Sequence, residues 1–84
     1  VIIENELDYN KALEWLSKQD KVAYDIETNG LNHRYAENVI IGIGVSNFSG
    51  GYYLPVRRFD VGLGCLVQHQ MAHRAADFVA EIAR

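Results

Sequence analysis

The segment Val39-Ile40-Ile41-Gly42-Ile43-Gly44-Val45-Ser46 constrains the fold of this chain more than any other. Read with a period of two, it places Val39, Ile41, Ile43 and Val45 on one face and Ile40, Gly42, Gly44 and Ser46 on the other. One face is therefore fit for a hydrophobic core and the other is nearly bare. Glycine weakens a strand interior, so small residues in register point to a backbone or helix approaching closely on that side, or to a crowded core. A strand of this kind needs partners. The turn residues Asn47-Phe48-Ser49-Gly50-Gly51 predict a five-residue hairpin connection to a return strand over Tyr52 to Val56. Pro55 fits that strand only at an edge or at its end. Upstream, Val22, Tyr24 and Ile26 alternate with Ala23 and Asp25, which predicts a first strand antiparallel to the hairpin.

Helical periodicity flanks these strands. Asp8 precedes Tyr9, Ala12, Leu13 and Leu16, predicting a helix over about 8–19 with Asp8 as its cap. Val67, Met71, Ala75, Phe78, Val79 and Ile82 predict a second helix over about 65–83. The stretch Arg57 to Gly64 reads as a loop and a candidate joint. The expected order is helix, strand, strand, strand, helix, with the hairpin edge covered by a further strand from beyond Arg84 or from a partner. At 84 residues the chain makes one small domain, burying only about 60% of its unfolded surface. With 49% hydrophobic and 23% charged residues it is a folding chain rather than a disordered tail. A chain that opens at Val1 without Met, with a helix running to Arg84, is expected to be a portion of a longer polypeptide.

Net charge is −3, so no global positive field attracts nucleic acid or anionic lipid, and any polyanion must be bound locally. The longest apolar run is far short of the roughly 20 residues that span a bilayer. A single cysteine, Cys65, fits a reducing compartment, cytoplasm or nucleoid, and is expected as a small buried hydrophobe. Asn47-Phe48-Ser49 matches a glycosylation acceptor, but with no signal peptide beside it we read it as a turn.

Asp25 and Glu27 are the residues most open to chemistry. Their spacing places both carboxylates on one side of a strand, where about 6 Å of separation at an effective dielectric near 20 gives a repulsion of roughly 3 kcal/mol. Positive charge between them offsets this, and hard oxygen donors on a rigid strand suit Mg²⁺ or Mn²⁺. A solvated strand end carries the same Asp-x-Glu pattern, so spacing alone does not decide. Two other patterns are weaker. His69, His73 and Asp77 lie at i, i+4 and i+8, one face of a helix, and there they either clamp a transition metal or simply meet solvent. Gly42-Ile43-Gly44 lacks the third glycine and the following helix of a dinucleotide site. Arg34, Arg57 and Arg58 are available to touch phosphates, or are ordinary surface arginines.

The run Val22-Ala23-Tyr24-Asp25-Ile26-Glu27-Thr28-Asn29-Gly30-Leu31, then Ile41-Gly42-Ile43-Gly44-Val45-Ser46 and Gly51-Tyr52-Tyr53-Leu54-Pro55-Val56, resembles the start of the DEDD 3′-to-5′ exonuclease superfamily. Within it the sequence is most similar to the proofreading domain of polymerase I-like (family A) DNA polymerases. The resemblance covers residues 1–58; residues 59–84 have no clear counterpart. It implies an α/β, ribonuclease H-like fold in part, a mixed sheet that starts with three antiparallel strands and is flanked by helices. It also implies that Asp25 and Glu27 are catalytic ligands of a two-metal Mg²⁺ or Mn²⁺ centre, with Glu27 near the terminal 3′ hydroxyl. Thr28 and Leu31 are expected to position the nucleic-acid end, Leu31 against the terminal bases. The implied reaction hydrolyses the last phosphodiester and releases nucleoside 5′-monophosphates. The implied partners are a single-stranded 3′ end of DNA, with RNA as the alternative, and the rest of a polymerase polypeptide. The sequence departs from the family after residue 58. His69 to Phe78 echoes the second exonuclease motif only loosely, leaving Asp77 as a weak candidate ligand, and a third motif is missing. A chain with two of four carboxylates is expected to be inactive alone, or to serve as a binding module of nuclease fold.

Overall fold

The computed structural model describes residues 1–28 and 39–84. Helix α1 spans Glu6–Ser17, strand β1 Ala23–Thr28, β2 Ile40–Asn47, β3 Gly50–Pro55, β4 Arg57–Asp60 and β5 Cys65–Gln68; a 3₁₀ turn at Ala72–Arg74 leads into helix α2, Ala75–Ala83. The described residues form a small α/β domain with a three-stranded antiparallel sheet in the order β1-β2-β3, a separate two-stranded sheet β4-β5, and two helices.

Helix α1 begins earlier than the periodicity predicts. Asn5, not Asp8, is its cap: the Asn5 side chain accepts from the Asp8 backbone N–H at 2.9 Å. Asp8 sits one turn in, where its carboxylate accepts from the Glu4 N–H and suits the positive end of the helix. The β2–β3 connection is tighter than the expected five residues. Asn47 pairs with Gly50, leaving Phe48 and Ser49 as the turn. The Asn47 side chain stabilises it, accepting from Ser49 N–H and donating to Gln19 Oε1 and the Lys21 carbonyl. Pro55 ends β3, as its missing N–H requires. The far edge of β3 is covered, but by the opening residues of the chain: Ile3 N–H donates to the Tyr53 carbonyl and Tyr53 N–H to the Val1 carbonyl, each at 2.8 Å.

Residues 57–68 correct the sequence reading. A second hairpin forms there, in place of a loop and the start of a helix. Asp60 Oδ1 accepts from the Leu63 N–H, the Asp60 carbonyl accepts from Gly64, and Gly64 takes φ +68°, a conformation open to glycine. This turn folds Arg57–Asp60 onto Cys65–Gln68 before a helix can start. Cys65 opens β5 at the turn and is exposed rather than buried. The helix proper starts ten residues later than expected, at Ala75.

The core contains Ile3, Tyr9, Ala12, Ile43, Val45, Leu54, Val56, Met71 and Phe78, with Phe78, Ile3 and Leu54 fully buried. Ile43 and Val45 supply the apolar face of β2, as their alternation predicts, and both helices cover that face over β2 and β3. Tyr9 meets Phe78 with ring centroids 6.0 Å apart, and Trp15 meets Tyr52 at 5.6 Å. Strand β1 lies outside this cover: Tyr24 is 63% exposed and Ile26 40%, although both share the core face with their partners Val45 and Ile43. Among the described residues no helix is long and apolar enough to cross a membrane.

Candidate carboxylate site

Register builds the site. Asp25 stands opposite Gly44 and Glu27 opposite Gly42, and on the next strand Gly44 stands opposite Tyr53 and Gly42 opposite Pro55. Directly paired residues point to the same side of a sheet, so Asp25, Glu27, Gly42, Gly44 and Tyr53 share the face away from the core. Both acids are exposed. Among the described residues it is the Tyr53 ring that fills the bare face of β2, rather than the helix or second backbone its glycines suggested. That ring lies over Gly42, and a Cβ on Gly42 would overlap the tyrosine hydroxyl and its ring carbon. At Gly44 a Cβ would keep an ordinary 3.8 Å from the ring. Lying across the glycine, Tyr53 Oη donates to Glu27 Oε2 at 3.2 Å. Partial burial raises the Tyr53 pKa above the ordinary tyrosine value, helped by the Glu27 charge and by the hydrogen bond to it, so the phenol remains a donor at neutral pH.

A groove of about 390 Å³ adjoins Asp25 and Tyr53, bordered also by Ile2, Gly44, Ser46 and Gly51 among others. A bulge between Glu27 and Thr28 breaks the register at the end of β1. Thr28 follows Glu27 there and is exposed. Leu31, like Arg34, lies outside the described residues.

The remaining candidates are held elsewhere. Asp77, in the first turn of α2, forms an ion pair with Arg74 at 3.2 Å. His69 precedes the helical segment, and its Nδ1 accepts from the Met71 N–H. His73 Nε2 meets Glu6 Oε1 at 2.8 Å. His69, His73 and Asp77 therefore do not share a helix face, because β5 and the 3₁₀ turn replace the first part of the expected helix. Arg57 donates to the Ile40 carbonyl and Arg58 pairs with Asp60, so each has a role within the fold.

Two carboxylates on one strand, facing residues without side chains, fit one hydrated Mg²⁺ or Mn²⁺, which binds through one or two carboxylates and retains waters. They do not complete a two-metal centre. Among the described residues no group of three or more His, Cys, Asp and Glu side chains is placed to hold a metal ion. Tyr53 escaped the sequence reading; its signal was a large aromatic in register with Gly44 and diagonal to Gly42, the two glycines opposite the acids. Comparison with family models, with curated proteins and with solved structures found no match for this chain.

Proposed function

We propose that the face carrying Asp25 and Glu27 is the metal-binding part of a 3′-to-5′ exonuclease of ribonuclease H-like fold, acting in proofreading within a DNA polymerase polypeptide. The observation that supports it most is the pairing of both acids with glycines, Asp25 with Gly44 and Glu27 with Gly42. Gly44 puts no side chain beside Asp25, while over Gly42 the Tyr53 ring reaches across to Glu27, and a divalent cation beside the two like charges offsets their repulsion. A bound Mg²⁺ or Mn²⁺ supplies Lewis acidity and a water of lowered pKa. The chain's own residues hold and orient. Asp25 and Glu27 offer carboxylate oxygens from a strand fixed by its ladder to β2. Thr28, next along the strand, positions the nucleic-acid end. The substrate in this reading is a single-stranded 3′ end of DNA, with RNA the alternative.

A second reading rests on a specific observation. Among the described residues two carboxylates, Asp25 and Glu27, share this face, and Asp77 is engaged by Arg74, which favours a catalytically inactive binding module of the same fold. Incubation with 3′-labelled single-stranded DNA and RNA in Mn²⁺ separates the two. Release of nucleoside 5′-monophosphates that disappears in Asp25→Ala/Glu27→Ala supports the exonuclease, and the polymer released defines the substrate. Metal-dependent binding without release supports the module. Equal release by the double variant contradicts the site assignment.

A further inference from the structure

We propose that Tyr53 is the positioning residue of the carboxylate site, a role that rests on the reading of Asp25 and Glu27 as metal ligands. An exposed glutamate at a strand end rotates among several staggered arrangements of its side chain. Here the Tyr53 hydroxyl takes one lone pair of Glu27 Oε2. The remaining lone pairs of the carboxylate stay available on the face that Asp25 shares. The fixed geometry originates two strands away. Tyr53 stands opposite Gly44, not opposite Gly42, and reaches Glu27 diagonally by lying flat over Gly42. The absence of a side chain at Gly42 is what permits that path.

A packing role for the ring predicts a different outcome from a positioning role for the hydroxyl, because phenylalanine fills the same space. Titration with Mn²⁺ alone, by calorimetry, tests the difference. Tyr53→Phe is expected to retain the fold and to weaken Mn²⁺ binding about 10-fold, the lower end of the range for outer partners of metal ligands. Gly42→Ala, which keeps the tyrosine but displaces its ring, is expected to match that loss. The ¹³Cδ resonance of Glu27, identified by its loss in Glu27→Gln, is expected to shift in metal-free Tyr53→Phe. In the unaltered protein, Mg²⁺ is expected to move the Tyr53 Cζ and Glu27 Cδ resonances with one midpoint, a readout that needs no variant to fold.

The outcomes separate the two levels of the reading. Unchanged Mn²⁺ binding in Asp25→Ala/Glu27→Ala overturns the metal site itself. Loss in that double variant together with unchanged or tighter binding in Tyr53→Phe overturns the positioning role and leaves the metal site standing. A Tyr53 resonance that ignores Mg²⁺ while Glu27 responds overturns it equally.

Discussion

Glu6 illustrates how single side chains tie this small fold together. From the first turn of α1 it meets Arg74 at 3.0 Å and His73 at 2.8 Å, so the chain's first helix is fastened to the turn that leads into its last. The hydrogen bonds from Arg74 and then His73 hold the Glu6 carboxyl below its ordinary pKa. A carboxyl lowered in this way contributes stability above its unfolded value and loses it as pH falls through the folded one. The melting temperature is therefore expected to decline as pH drops below the ordinary glutamate range, and less steeply in Arg74→Ala; parallel curves for the two proteins contradict this. The same scale shows what a linear reading captures. A spacing of two was enough to place Asp25 and Glu27 on one face. It could not reveal Tyr53, because that contact runs diagonally over three strands and depends on which residues pair.

At the scale of elements, Phe78 joins α2 to both α1 and the sheet. It is fully buried and its ring meets Tyr9. Phe78→Ala is expected to destabilise by about 3–5 kcal/mol, a large share of the roughly 5–15 kcal/mol that separates a folded domain from its unfolded chain. Chemical denaturation measures it, and a loss below about 1 kcal/mol contradicts the assignment of Phe78 to the core. The first three strands and α1 were legible because alternation and turn residues agree there. The β4–β5 hairpin was not. Val67 and Met71 are four apart by coincidence, and a short apolar run does not distinguish strand from helix. The informative signal was Asp60-Val61-Gly62-Leu63-Gly64, in which an acid that accepts from the turn and a glycine with positive φ close a hairpin.

For the whole molecule, the uneven cover of the sheet matters most. Both helices bury the faces of β2 and β3, while every residue of β1 is exposed. Amide hydrogen exchange is expected to be slowest in β2 and β3, near Ile43 and Leu54, and distinctly faster in β1, since local opening follows buried contact; equal protection in β1 and β2 contradicts that picture. The candidate site thus sits on the least covered strand, fixed mainly by its ladder to β2 and by Tyr53. The coarse α/β architecture was readable from the sequence, but the exposure of β1 was not, because Tyr24 and Ile26 have the alternation of buried residues. Whether Asp25 and Glu27 jointly hold a divalent cation is decided most directly by paramagnetic broadening of backbone amide resonances on adding Mn²⁺. We predict broadening centred on Asp25, Glu27, Gly42 and Gly44 that vanishes in Asp25→Asn/Glu27→Gln. Broadening centred elsewhere, or unchanged in that variant, contradicts the account.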